Sequence, residues 1–280
     1  MPQLMELKQS MLRCFFWNQC KNDLTDVVVQ AAAILRPDIF AFCETGARFK
    51  QTLDALNLVN AYHFTTGRIS ERFHLFTRFP QHYIKILSEA DRFLILEISL
   101  PARDRFLLMV LHGPSKAAGW TPTSLGFEMV HFVTSLRTAQ NTHNLSKSVV
   151  VGDFNMNPFE PGMVGASAFN AVMDARQARK GSRTIQNRSY GYFYNPMWSL
   201  LGDATPGPPA TLFYDAYTQD ELQWHMLDQV IVSPEMIDFL DVTSLRVVDT
   251  IGDHRLVTAN GRPRKSKFSD HLPIYFELKI

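Results

Sequence analysis

Apolar residues recur in this chain as short unbroken runs, and several runs end in a small cluster of polar side chains. Leu12 to Trp17 reads as a buried strand, as do Asp38 to Phe42 and Val149 to Val151. Phe93 to Leu100 and Phe106 to Leu111 are rich in Ile, Leu and Val, with Pro101 to Arg105 as the turn of a hairpin. Val230 and Val232 predict another strand, and the alternation Ile274, Phe276, Leu278, Ile280 predicts a last one within Pro273 to Ile280. Helical spacing marks other stretches. In Thr25 to Leu35, Val27, Val28, Ala31 and Leu35 fall on one face, and Pro37 stops the helix. Leu125 to Leu136 and Met163 to Met173 read as amphipathic helices, the second entered at Pro161 and followed by Gly181. Gly202 to Thr211, with Pro206, Gly207, Pro208 and Pro209, is a loop. Helices interleaved with hairpin-like strand pairs predict an α/β architecture of two packed mixed sheets with helices outside. No linker-like shift in composition divides the chain, so one domain over residues 1–280 is expected.

The polar clusters at the ends of the runs carry the chemistry. In chain order they are Phe16-Trp17-Asn18, Phe42-Cys43-Glu44, Gly152-Asp153-Phe154-Asn155, Leu227-Asp228-Gln229 and Ser269-Asp270-His271. The third delivers a carboxylate and a carboxamide two residues apart, on one side of an extended chain. The fifth sets an Asp and a His side by side just before the final strand. Such groups suit cleavage of a phosphate ester, which needs a hard divalent cation, a positioned water and donors that neutralise developing charge.

This ordered set resembles the endonuclease/exonuclease/phosphatase superfamily, whose members include deoxyribonuclease I, exonuclease III, sphingomyelinases and inositol-polyphosphate 5-phosphatases. The likeness runs from Asn18 to His271. Further segments agree with it: Arg36-Pro37-Asp38-Ile39 leading into Glu44, Thr77-Arg78-Phe79-Pro80, Leu111-His112, and Asp228 followed by Val230-Ile231-Val232-Ser233. The resemblance implies a deoxyribonuclease I-like four-layer α/β sandwich with the active site at one end of the sheets. One position departs from the family pattern: Cys43 stands where Gln usually precedes the metal-binding Glu.

Roles follow from residue type and place. Glu44 is the expected ligand of Mg2+ or Mn2+, with Asn18 as a neutral oxygen donor beside it and Asp270 as a further ligand, direct or through water. Asp153 is expected to orient and deprotonate the attacking water, and Asn155 to donate its amide to a phosphate oxygen. His271 is expected to act as a protonated donor to the phosphate, held by Asp228. His112 matches the position where the family places a His or Tyr touching the phosphate. Asp253-His254 repeats the Asp-His dipeptide but has no strand signal attached, so Asp270-His271 is preferred. The remaining histidines (His63, His74, His82, His131, His143 and His225) are expected in surface or core roles.

Composition narrows the picture. Hydrophobic residues at 46% and charged residues at 20% describe a globular chain rather than a disordered one. No apolar run approaches membrane-spanning length, and Met1 to Arg13 carries Glu6, Lys8 and Arg13 in place of a secretory apolar block. Cys14, Cys20 and Cys43 lack metal-binding pair spacing, which predicts reduced thiols and a cytoplasmic location. The net charge of +1 excludes a globally basic nucleic-acid binder. Two local stretches are nevertheless basic and free of acid: Arg176, Arg179, Lys180, Arg183 and Arg188 form one, and Arg255, Arg262, Arg264, Lys265 and Lys267 the other. Each is either a solvated loop or a set of phosphate contacts. Tyr190, Tyr192, Phe193, Tyr194 and Trp198 follow the first, as core packing or as a base-stacking surface.

The expected activity is hydrolysis of phosphodiester bonds by a metal-dependent nuclease acting on DNA or RNA. The alternative is a phosphatase or phosphodiesterase of a small-molecule or lipid phosphate ester. The segment before Asp228, Gln223-Trp224-His225-Met226-Leu227, lacks both the Pro-x-Trp-x-Asp-Arg motif of inositol phosphatases and the Arg-x-Asp-Tyr run of exonuclease III-type enzymes. A non-catalytic binding module on the same fold would have lost site residues, and here every expected polar position is filled.

Overall fold

The computed structural model describes residues 11–46, 48–69, 71–215 and 222–280. The stretch bearing Glu6 and Lys8 lies outside the described residues. The chain runs β1 (Met11–Asn18), α1 (Thr25–Ile34), β2 (Ile39–Cys43), α2 (Phe49–Asn57), β3 (His63–Thr66), β4 (Phe73–Thr77), β5 (Ile84–Ala90), β6 (Phe93–Ile98) and β7 (Phe106–His112). It continues as α3 (Pro122–His143), β8 (Ser148–Asp153), α4 (Pro161–Val164), β9 (Ala171–Val172), α5 (Ala175–Ala178), β10 (Ser182–Ile185), β11 (Arg188–Gly191) and β12 (Phe193–Tyr194). It closes as β13 (Leu212–Phe213), β14 (Trp224–His225), β15 (Asp228–Val232), β16 (Leu240–Val247), β17 (Thr250–Ile251), β18 (His254–Arg255) and β19 (Ile274–Lys279).

Two mixed sheets carry the fold, ordered β16-β19-β1-β2-β4-β3 and β5-β6-β7-β8-β15-β12-β9. The apolar runs of β7 and β8 are continuous because both faces of their sheet are buried. Leu108, Val110, Val149 and Val151 point into the core shared with Phe15, Phe40 and Phe42 of the other sheet. Leu107, Met109, Leu111 and Val150 point the other way, onto Met129, Phe132 and Leu136 of α3. The first helix contributes Val27, Val28, Ala31 and Ala32 to the larger core. Helices thus flank two facing sheets, the α/β sandwich predicted from the sequence.

Register brings the polar tips together. Strands β1 and β2 are parallel with Asn18 opposite Cys43, so Asn18 and Glu44 leave their sheet at the same end. Strand β8 runs parallel to β7 with His112 opposite Asp153, and antiparallel to β15 with Asp228 opposite Asp153. Gly152 is required by this pairing: a Cβ there would stand 2.1 Å from the Leu111 carbonyl oxygen.

One expected element is absent. The helix read over Met163–Met173 is a single turn, α4, followed by turns and the short β9. Gly165 takes extended backbone angles directly after it, and the Gly165 and Asn170 amides both fold back within the segment, onto the Pro161 and Gly165 carbonyls. The helix-like spacing arises because Met163, Ala168, Phe169 and Ala171 are buried beneath α3 by a turn-rich chain. The helix expected at Leu125–Leu136 is longer, because a Thr121/Ser124 capping box starts it and Asn144 ends it in the left-handed region.

Candidate active site

Asp153 is the meeting point of the strand tips, and it is 1% exposed. Its Oδ2 accepts a hydrogen bond from Asn18 Nδ2 at 2.9 Å, across the gap between the two sheets. Its Oδ1 accepts from the backbone N–H of Asn155 at 2.8 Å, which closes a tight turn with Asn155 at φ 52°. Two imidazoles face the same Oδ2: His112 Nε2 at 3.7 Å and His271 Nε2 at 3.8 Å. His112 Nε2 also stands 3.4 Å from Glu44 Oε1, and its Nδ1 is buried without a partner among the described residues. Asn155 Nδ2 donates to the Gly113 carbonyl at 2.9 Å, leaving its second amide hydrogen available.

His271 is fixed from behind. Its Nδ1 lies 2.7 Å from Asp228 Oδ2, and Asp228 is fully buried. Burial disfavours the imidazolium, but attraction to Asp228 and Asp153 outweighs it and raises His271 well above the ordinary histidine range. Burial pushes the Asp228 carboxyl up as well, against the downward pull of His271. A 2.7 Å contact between a His and a carboxylate favours the ion pair, so the shared proton resides on His271 at neutral pH and its Nε2–H points toward Asp153.

Asp153, Asp228 and His271 bring ligand-type atoms within 4.8 Å of one another. Within this group Asp228 occupies His271 Nδ1, and each Asp153 oxygen accepts one hydrogen bond and keeps a lone pair. The oxygen donors that fit a hard cation are Glu44, Asn18 and Asp270. Glu44 sits beyond the end of β2 at φ 47°, a left-handed conformation that non-glycine residues rarely adopt. Its side chain keeps 29% of its surface open, and Asn18 Oδ1 accepts a single hydrogen bond, from Cys20 N at 3.0 Å. Burial, with the charges of Asp270 and Glu44 nearby, pushes the Cys20 thiol up to about 11. Two carboxylates and a carbonyl oxygen with free lone pairs suit Mg2+ or Mn2+.

All eight residues expected from the sequence therefore meet at one end of the sandwich: Asn18, Glu44, His112, Asp153, Asn155, Asp228, Asp270 and His271. Sequence reasoning missed the groups that hold them. Ser269 Oγ donates to the Asn18 carbonyl and accepts from His271 N, tying the two tips together. Trp17 Nε1 donates to the His271 carbonyl at 2.8 Å. Thr211, at the end of the Pro-rich loop, accepts from the N–H groups of Leu227 and Asp228. Ser269 and Trp17 stand inside the quoted clusters, but their bonds to Asn18 and His271, like those of Thr211 to Leu227 and Asp228, join residues distant in sequence.

Other expectations sort clearly. His254 lies in the β17–β18 hairpin, edge-on to Phe268, outside the network. His74 is buried between Phe49 and Phe64, and burial lowers it to about 4. His225 is half-buried, with its Nδ1 3.1 Å from Asn157 Nδ2. In the aromatic cluster, Tyr192 and Phe193 are core, and Trp198 packs on Phe159. The two basic stretches differ. Tyr194 pairs with Val232, four residues past Asp228, so β12 and the β10–β11 hairpin before it attach about 13 Å away along the strand. There Arg179 pairs with Asp238, Arg176 with Asp174, and Arg183 donates to the Val164 carbonyl. The second stretch adjoins Ser269-Asp270-His271 directly.

The profile of the Endonuclease/Exonuclease/phosphatase family matches residues 14–271. No curated protein matches the sequence. Among solved structures, a humanized D. rerio TDP2 superposes with a TM-score of 0.56 at 16% identity, over 96% of this chain and 98% of that one. The human Nocturnin catalytic domain gives 0.55 at 16%, over 97% and 95%. The endonuclease domain of TRAS1, a telomere-specific non-LTR retrotransposon, gives 0.50 at 11%, over 96% and 98%. At these identities the structures establish a shared fold. No helix among the described residues is long and apolar enough to cross a membrane.

Proposed function

The chain belongs to the endonuclease/exonuclease/phosphatase family, and from that premise we propose that it is a Mg2+-dependent nuclease, Mn2+ being the other suitable ion, that hydrolyses phosphodiester bonds of DNA or RNA. The observation that carries the reading is the placement of Asp153 Oδ2, hydrogen-bonded to Asn18 and 3.7 and 3.8 Å from two imidazoles. We also propose that residues 1–280 fold as one domain and that the unpaired cysteines reflect a cytoplasmic location.

Glu44, Asn18 and Asp270 would hold the cation. When bound, it supplies positive charge to the phosphate oxygens and to the departing alkoxide. Asp153 orients a water and takes its proton. Asn18 and the Asn155 N–H hold the Asp153 carboxylate still, so the geometry needs no rearrangement during the reaction. His271, charged and aimed by Asp228, donates Nε2–H to a non-bridging oxygen as the charge there grows. His112 sits between Glu44 and Asp153 and donates from its Nε2 side to the same phosphate. The second amide hydrogen of Asn155 completes the donor set.

The test is cleavage of single- and double-stranded DNA, RNA and a generic phosphodiester by the purified protein in Mg2+, Mn2+ or chelator. Metal-dependent cutting of a polynucleotide is expected. Glu44→Gln should keep the fold and lose tight metal binding by calorimetry. Full activity of Glu44→Gln in chelator, or cleavage confined to the small ester, contradicts the reading.

A further inference from the structure

The second basic stretch is built differently from the first. Among the described residues, none of Arg255, Arg262, Arg264, Lys265 and Lys267 forms an ion pair with a carboxylate, whereas Arg176 and Arg179 of the first stretch do. Its cations are positioned by rings instead. The Arg262 guanidinium lies 3.9 Å over the ring of Phe213, and Arg264 and Lys267 lie 5.9 and 5.3 Å from the ring centre of Phe268. Both rings are anchored to the active site. Phe268 directly precedes Ser269-Asp270-His271, and its carbonyl accepts from Asn22. Leu212 bridges His271 in antiparallel register, which sets Phe213 opposite Asp270. The three cations therefore flank the segment that carries Asp270 and His271, on fixed supports.

Cations without a carboxylate partner among the described residues, held on both sides of a candidate phosphate-cleaving segment, fit a chain of phosphates. Neighbouring rings say which kind. Tyr214 follows Phe213 on the same short hairpin and is 57% exposed, and Trp224 packs edge-on to Phe213 across it. An exposed ring and a stacked guanidinium offer flat surfaces to unpaired bases. A duplex keeps its bases inside and would leave them unused. We propose that Arg262, Arg264 and Lys267 form a track for the phosphates of a single-stranded polynucleotide entering the active site, with Tyr214 as the platform for a base. This rests on the nuclease reading above and adds the strand state and its path.

The probe is a fluorescein-labelled single-stranded oligonucleotide, with anisotropy followed in chelator between about 50 and 200 mM salt. Each single-strand phosphate neutralised contributes about 0.7 to the log–log salt slope. The double change Arg262→Ala with Lys267→Ala should lower the slope by about 1.4 and weaken binding about tenfold at the lower salt. The charge-preserving pair Arg262→Lys with Lys267→Arg should keep the slope, which separates lost charge from lost folding. Arg188→Ala, exposed on the distant hairpin, should leave it unchanged. The track falls if the double alanine variant keeps the wild-type slope, if Arg188→Ala lowers the slope as much, or if a duplex of the same sequence binds more tightly. Cleavage in Mg2+ is scored separately. A protein that cuts the strand while binding ignores the track loses the track and keeps the nuclease reading. Track-dependent binding without cutting keeps the track and removes the nuclease reading.

Discussion

Asp153 is held at both carboxylate oxygens, one by a neighbouring backbone N–H and the other by an amide from the opposite sheet, and each oxygen keeps a lone pair for a further donor. In the proposed mechanism that restraint makes the carboxylate a directed base, and the same logic applies to His271, which Asp228 orients from behind. The two should act as a unit. His271→Ala and Asp228→Asn are each expected to cost about 100-fold or more in kcat/KM, and the double variant little beyond the worse single. A double variant whose loss equals the product of the single losses contradicts the pairing, and His254→Ala should stay near wild type. At this scale the converging polar groups were legible in the sequence, because each sits where an apolar run stops. The holding roles of Ser269, Thr211 and Trp17 were not, because their partners Asn18, Asp228 and His271 lie far away along the chain.

At the level of elements, strand register decides which tips coincide, and it depends on close backbone approach. Gly152→Ala would force a methyl against the Leu111 carbonyl at 2.1 Å, so a loss of about 2–3 kcal/mol in denaturant unfolding is expected. A change within about 0.5 kcal/mol of wild type would show that the β7–β8 pairing is looser than this contact requires. His74 on β4 offers a second check. Burial between rings depresses it to about 4 in the folded chain against about 6.5 unfolded, so the unfolded state takes up its proton first. Stability from this site is present above about pH 6.5 and is lost as pH falls toward 4. His74→Phe should flatten that part of the stability curve relative to wild type, and an identical pH dependence in the two proteins would refute the assignment. The strands were readable because β7 and β8 are apolar on both faces. The helix expected at Met163–Met173 misled, because turns can bury Met163, Phe169 and Ala171 at helix-like intervals without helical backbone.

For the whole molecule, the family match over residues 14–271 and the convergence of eight polar groups make one statement about chemistry. Charge along the sequence gave no warning that the two basic stretches have different fates, since both lack acids locally. The fold brings Asp238 to Arg179, whereas Arg262 and Lys267, near Asp270, have no carboxylate partner among the described residues. The central claim is that Asp153 activates the attacking water at a metal-dependent centre, and single-turnover cleavage by Asp153→Asn tests it most directly. With oligonucleotide in Mg2+, the variant should bind within about threefold of wild type and cleave about 1,000-fold more slowly, because the lost group acts mainly in the transition state. Cleavage at the wild-type rate by a folded Asp153→Asn protein would contradict the account.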